Sequence, residues 1–268
     1  MPVDLLYSHP IWLVGSVIVA LSILASWFGL YVFDRCVPVS IRREHNDVAG
    51  FIISIIGVVY AVLLAFVAVA AWEDFDSADN AVQREASLVG NLLRDCGAVE
   101  QPASSEMRAA LRRYVFHVVG DELQAQQAGD IDEVDDIGWQ PISGLQRLTA
   151  QLDAKTPGQA VIQAEILRNL NELYSARRAR LLAAERGIPA TIWWILILGS
   201  VITVGFSFFF GMPDIRMHYA MTGTLAASMA LVMVLIVSVD RPFLGDDGSM
   251  ITDAFHEVVK KLQPVPSP

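Results

Sequence analysis

Four apolar runs, set as two pairs around a long charged segment, constrain this chain more than any other feature. Residues 10–33, 48–72, 191–211 and 218–239 are almost purely apolar. Each is long enough to cross a bilayer as a helix, which takes about 20 residues. The mean hydropathy of +0.45 is above what an ordinary soluble domain needs. The expected fold is all-α: an integral membrane protein with four transmembrane helices and a helical stalk domain between the second and third spans. The expected divisions are residues 1–72 (first hairpin), 73–187 (helical extramembrane domain continuous with spans two and three), 188–240 (second hairpin) and 241–268 (a polar, partly disordered tail).

No Pro interrupts residues 48–96, which predicts one continuous helix from about residue 47 to 96, apolar in its first half and polar in its second. Such a helix is about 75 Å long, so its outer half must pack on something. Asn46 or Asp47 is the expected N-cap. Phe75, Ala78, Val82, Glu85, Val89, Leu92 and Cys96 recur at spacings of three and four, a coiled-coil-like seam. Further helices are expected over residues 104–127, 141–154 and 159–186. The last ends at Gly187, and Pro189 opens the third span. The tail beyond Asp240 is polar and ends in a Pro-rich stretch, expected to be disordered.

Glu85 occupies a seam position where Leu or Val would be expected. Ile166, Leu170, Leu173, Arg177 and Leu181 form a matching stripe on the last insert helix. Glu85 lies twelve residues beyond Glu73, and Arg177 twelve before Pro189. Both should stand about 18 Å above the membrane edge. A Glu85–Arg177 stalk ion pair that fixes register is the expectation. The alternative is that both long side chains reach solvent.

The four runs hold no Asp, Glu, Lys or Arg, which weighs against an ion-coupled transporter. The second carries a stripe of small residues: Gly50, Ser54, Gly57, Ala61, Ala65 and Ala68. Such stripes mostly mean close helix packing. The sharper reading is a pore-lining face, with the hydroxyl of Tyr60 nearby. Glu73, Asp74, Asp240 and Arg241 end spans on one membrane face. Interfacial charge of this kind is ordinary; in an assembled ring it would be pore-mouth charge.

A net charge of -10 argues against a nucleic-acid partner. The two cysteines form no CxxC, and the five histidines have no metal spacing. The acidic stretch 130–136 lacks the Gly and closing Glu of an EF-hand loop. No phosphate loop and no nucleophile–base arrangement is present, so no cofactor, no metal and no enzymatic activity are expected. The first run follows no basic segment and is read as a retained span. Lys and Arg lie more on the insert's side, which points to a cytoplasmic insert and cytoplasmic termini.

Residues 45–51 (HNDVAGF), 57–66 (GVVYAVLLAF) with Trp72-Glu73, 176–181 (ARRARL) and 240–245 (DRPFLG) resemble the bestrophin-like family of uncharacterised bacterial membrane proteins. The resemblance covers nearly the full length. It implies four spans, a helical insert and a symmetric oligomer whose second spans line a pore, in a bacterial inner membrane, and it would map Ser54, Gly57, Tyr60 and Ala61 to the pore wall. The aromatic pore neck and acidic calcium clasp of true bestrophins are not located here, so neither anion selectivity nor calcium gating is implied. The leading expectation is a homo-oligomeric ion channel in the lipid bilayer that passes inorganic ions. The alternative is a non-conducting membrane scaffold or signalling partner.

Overall fold

The computed structural model describes residues 10–128, 135–244 and 248–262. Among them the secondary structure is helical, with no strand. The elements are α1 (Ile11–Cys36), α2 (Val39–Glu44), α3 (Asn46–Asp95), α4 (Ala103–His117), α5 (Leu123–Ala128), α6 (Asp135–Ala150), α7 (Pro157–Glu185), α8 (Ala190–Phe206), α9 (Ile215–Asp240) and α10 (Gly248–Leu262). Four of these helices, α1, α3, α8 and α9, are long and apolar enough to cross a membrane.

α3 runs unbroken for 50 residues, about 75 Å. One face is buried along most of this length: Tyr60, Leu64, Val67, Ala71, Ala78, Val82, Glu85, Val89 and Leu92. In the polar half that face meets α7, and Leu111, Tyr114, Val115, Leu145, Ile166 and Leu173 complete a large core. In the apolar half the corresponding core is small: Tyr60, Leu64, Val67, Leu196 and Ile236. Most apolar side chains there point outward, as expected where the surroundings are hydrocarbon rather than water.

Three local features depart from expectation. The segment expected as one helix over 104–127 is α4 and α5 joined by a π turn at Val118–Glu122. The wider turn absorbs one residue, so that Tyr114, Val118, Glu122 and Gln126, each four apart, all stay buried. α7 begins two residues early, at Pro157. Thr156 caps it: its hydroxyl accepts from Gln159 N (3.2 Å), while Gln159 Oε1 accepts from Thr156 N (3.1 Å). The tail expected to be disordered contains α10, which buries Phe255 and Val258 against the large core. Its spacing of three between those residues gave the apolar face. Residues 263–268 and 129–134, the latter most of the acidic stretch, lie outside the described residues.

At the end of the molecule away from the polar bundle, the two short connections lock together. Asn46 does not cap α3. Its amide instead clamps Gly211, donating to the carbonyl (3.1 Å) and accepting from the N–H (2.8 Å). The buried Arg42 pairs with Asp34 and donates to Phe208 O (3.2 Å). A methyl at Gly211 would collide with the backbone at Arg43 and Val39. Gly211→Ala is therefore expected to cost about 2 kcal/mol or more. Asn46→Ala, which removes two hydrogen bonds, should cost about 1–3 kcal/mol. Thermal unfolding of the purified protein in detergent checks both; unchanged midpoints would refute the clamp.

Candidate functional site

Two places in the molecule bring together the residues that could carry function: the outward side of α3 in its apolar half, and a buried charge cluster in the polar bundle. Successive helix positions turn by about 100°. The small residues Gly50, Ser54, Gly57, Ala61, Ala65 and Ala68 therefore form one strip, about a quarter turn from the buried face. They are exposed or half-buried, and a methyl added at Gly50 or Gly57 would meet nothing within 4 Å. Ser54 spends its hydroxyl on Gly50 O (2.7 Å). A further quarter turn round lie bulky exposed residues: Phe51, Ile55, Val58, Val62, Phe66 (73% exposed) and Val69.

Tyr60 does not belong to either outward strip, which corrects its expected place on a pore wall. It is buried, and its hydroxyl donates to Leu196 O (2.6 Å) and lies 2.7 Å from Ser200 Oγ. Its ring lies where a side chain at residue 199 would stand, so only Gly199 lets α3 and α8 approach this closely. The four charges expected at one mouth differ in their settings, although Asp74 and Arg241 both stand near enough to Asp240 to act on it electrostatically. Glu73 and Asp74 are exposed on α3. Asp240 instead ties α9 to the start of α8, accepting from Ile188 N at 2.6 Å and bonding Trp193. Arg241 is half-buried beside Gly187.

In the polar bundle, Glu85 is fully buried, but its partner is not Arg177. Arg180 donates to Glu85 through Nε (2.6 Å) and Nη2 (3.3 Å), and Tyr114 donates to the same carboxylate. Arg177 makes a two-pronged contact with Glu122, at 2.7 and 2.6 Å. Arg180 joins the two halves by reaching Glu122 (2.6 Å) and Gln126 (3.1 Å). Equal heights above the membrane edge selected Arg177. The side chain that faces Glu85 sits one turn further along α7, and the sequence does hold its signal: residues 166, 170, 173, 177 and 180 alternate spacings of four and three, and Arg180 rather than Leu181 completes the stripe. Glu122 likewise ends a 111, 115, 118, 122 stripe.

The guanidinium of Arg177 also stacks over Trp139 (4.6 Å). The cluster presses against Gly138, where a methyl would strike Arg177 and Glu122. Burial works against ionisation of Glu122, but hydrogen bonds from Arg177 and the charges of both arginines outweigh it and hold the carboxyl below its usual range. Burial, then the neighbouring Glu85, push the Tyr114 phenol well above its ordinary value, so it stays a donor. The two acids are matched by two arginines, and His117 Nε2 stands 3.2 Å from Glu122 Oε1 at the edge of the cluster. Among the described residues no group of His, Cys, Asp and Glu is placed to hold a metal ion.

Removing Arg180 strands the buried Glu85 carboxylate, while Glu122 keeps Arg177, so Arg180→Met should cost about 3–5 kcal/mol. Arg177→Met should cost less, since Glu122 keeps Arg180. Because Glu85 and Arg180 act together, the Glu85→Gln/Arg180→Met double variant should lose less than the two single losses added. Denaturant titrations of all four proteins measure this; strict additivity would refute the pairing. The lowered Glu122 carboxyl adds stability that is complete above its ordinary value near 4.5 and is lost as pH falls through its lower folded value. Glu122→Gln should flatten that acid limb in thermal melts recorded from neutral to acid pH.

The apolar helices and the polar bundle together match known structures. Two crystal structures of single-residue variants of a bacterial bestrophin homologue from Klebsiella pneumoniae share this fold at a TM-score of 0.67. Their identities are 13% and 14%, over 91% and 93% of this chain and 99% of theirs. A crystal structure of a membrane protein carrying one substitution is also similar, with a TM-score of 0.67 and 14% identity over 93% of this chain and 99% of that one. At such identities the likeness is one of fold. No curated protein matches the chain. A family model for the bestrophin-like domain matches residues 20–247, through every helix from the middle of α1 to the end of α9, and the chain belongs to the bestrophin-like family.

Proposed function

We propose that the protein is a homo-oligomeric ion channel of a bacterial inner membrane, with α3 of each copy lining a central path. The four apolar helices cross the bilayer. The polar half of α3, with α4 to α7 and α10, forms a stalk on the cytoplasmic side, where both termini also lie. The observation that carries this reading is the division of α3 into three faces about a quarter turn apart. One face meets the protomer's own core. The next is the small-residue strip, which suits close contact with a neighbouring helix. The face opposite the core carries Phe51, Ile55, Val62, Phe66 and Val69. In a ring of copies that last face points to the axis.

This arrangement assigns Ser54, Gly57 and Ala61 to the contact between neighbours and gives the wall to the bulky strip. The wall is apolar, and such constrictions gate by dewetting. Glu73, exposed and one further turn along the same strip, stands at the mouth with Asp74 beside it. A ring of these carboxylates concentrates cations there.

Cysteine scanning tests the assignment in a Cys36→Ser/Cys96→Ser background. A water-soluble thiol reagent should abolish current through the Val62→Cys and Phe66→Cys channels. Ala61→Cys, on the side that meets a neighbouring copy, should leave current unblocked. Phe66→Ser should raise conductance severalfold by wetting the constriction, and Glu73→Gln should lower cation preference. Purified protein that carries no current in bilayers under any salt, pH or voltage would refute the channel. Block at Ala61→Cys but not at Val62→Cys would refute the facing.

A further inference from the structure

α8 is held just before its start, at mid-length and beyond its far end. Asp240 binds Ile188 N just before the helix, and Tyr60 hooks Leu196 O and Ser200 at its middle. At its far end the turn that follows packs Phe208 and Phe209 on Phe33. Between α8, α1 and α9 a cleft of about 560 Å³ remains. Its walls are Ile18 to Gly29 of α1 and Trp193 to Gly205 of α8 with Phe208 beyond, and its floor is Ala226 to Val237 of α9. The lining is apolar apart from three serine hydroxyls, of which Ser26 bonds Ile23 O and Ser200 bonds Tyr60. A methyl added at Gly205 would meet nothing within 4 Å, so the space extends to the backbone of α8.

We propose that this cleft is a binding site for one acyl chain of an anionic phospholipid drawn from the surrounding bilayer. The walls run along the helix axes for about 16–22 Å. That exceeds one leaflet of hydrocarbon, about 15 Å, so a chain lies along the cleft rather than across it. An apolar cleft offers water no partners, which leaves hydrocarbon to fill it. The volume lies within the range of about 300–1,000 Å³ typical of ligand pockets. The end nearest the polar bundle supplies the charge for a headgroup. Val237 lines the cleft one helical turn before Arg241, and Trp193 lines it while bonding Asp240. Arg241 Nε is 3.3 Å from the Cβ position of Gly187, directly after the exposed Arg186. Neither arginine lies within salt-bridge distance of a described carboxylate, although the charge of Arg241 acts on the neighbouring Asp240. The chain's other candidate occupant is a second copy. No residue of α3 lines the cleft, however, and α3 carries both strips assigned to the axis and the neighbour. The cleft thus opens on the opposite side, toward lipid. The inference rests on the proposed arrangement only for that direction.

The test uses the full chain in nanodiscs that contain phosphatidylglycerol bearing a photoreactive acyl chain, with mass spectrometry of the labelled peptides. Labelling should concentrate on peptides holding Ile18 to Gly29 and Val201 to Phe208. Gly205→Phe, which fills the cleft, should cut it about tenfold, a change of the size that loss of a specific site produces. Leu198→Phe, on the exposed side of α8, should leave it unchanged and controls for folding. Arg186→Gln should reduce the preference for phosphatidylglycerol over the phosphatidylcholine probe. Three results would overturn the proposal. They are even labelling that includes Val58 to Phe66, retention of labelling in Gly205→Phe, and efficient disulfide linkage of Val201→Cys between copies. None of these readouts depends on current, so failure here is distinct from failure of the channel reading.

Discussion

A single helix face has to stay buried through two different surroundings, and the rest of the molecule is arranged around that requirement. The buried positions of α3 run from Tyr60 to Leu92 at spacings of three and four. Their average period is close to the 3.6 residues of a straight α-helix, so the face hardly drifts along its length. Between Ala71 and Ala78, with Phe75 half-buried between them, the pattern takes an extra step of four. A strict heptad would have wound the seam round the helix; this step returns it to line where apolar sequence gives way to polar. The same face can therefore meet α8 and α9 in the apolar half and α7 in the polar half.

That continuity gives the buried charges their role. Glu85 stands on the seam among Val82, Ala86 and Val89, where water cannot reach it. A lone carboxylate there would be costly. Its cost is met by Arg180, whose second charge contact is Glu122, whose own second partner is Arg177. Sliding α7 by one turn against α3 would separate these groups and leave at least one buried charge unpaired. Apolar contacts tolerate such slips far better than charged ones, because dispersion is not directional. The cluster therefore fixes register more than it adds stability.

The parts of the structure that were legible in the sequence are those set by periodicity along one segment. The four apolar runs, the unbroken α3, its seam and the anomalous Glu85 all follow from spacing and composition. Pairings between distant segments were less legible, because they depend on which residue of a second helix completes a face. Arg177 and Arg180 both lie on the α7 stripe, and height alone could not choose between them. Glu122 lies on the regular 111, 115, 118, 122 stripe, but that spacing does not say which basic residue it meets. Asn46 and Tyr60 each had an adequate local role, as a cap and as part of a strip. Their actual partners, Gly211 and Leu196, are backbone groups more than a hundred residues away. Backbone acceptors carry no sequence signature, so these contacts appear only once the helices are packed.

The unequal cores of the two halves decide which end governs the other. In the polar half, α3 is gripped by α7 and α10, with the α4 and α6 side chains closing round it. In the apolar half it meets a few residues of α8 and α9 and is otherwise exposed. A straight helix with intact hydrogen bonds transmits rotation about its axis much better than it absorbs it. The direction in which Val62, Phe66 and Glu73 point is thus set largely from the polar bundle, where Arg180 and Glu85 hold the angle. Tyr60 adds one anchor in the apolar half through Gly199, within two turns of Val62 and Phe66. A rotation of about 100° would carry the small strip to where the bulky strip stands. In the proposed channel, much smaller rotations would move the Phe66 ring into or out of the path. The fold therefore couples the bundle's packing to the outward face of α3 through rigid helix alone, with no hinge between them.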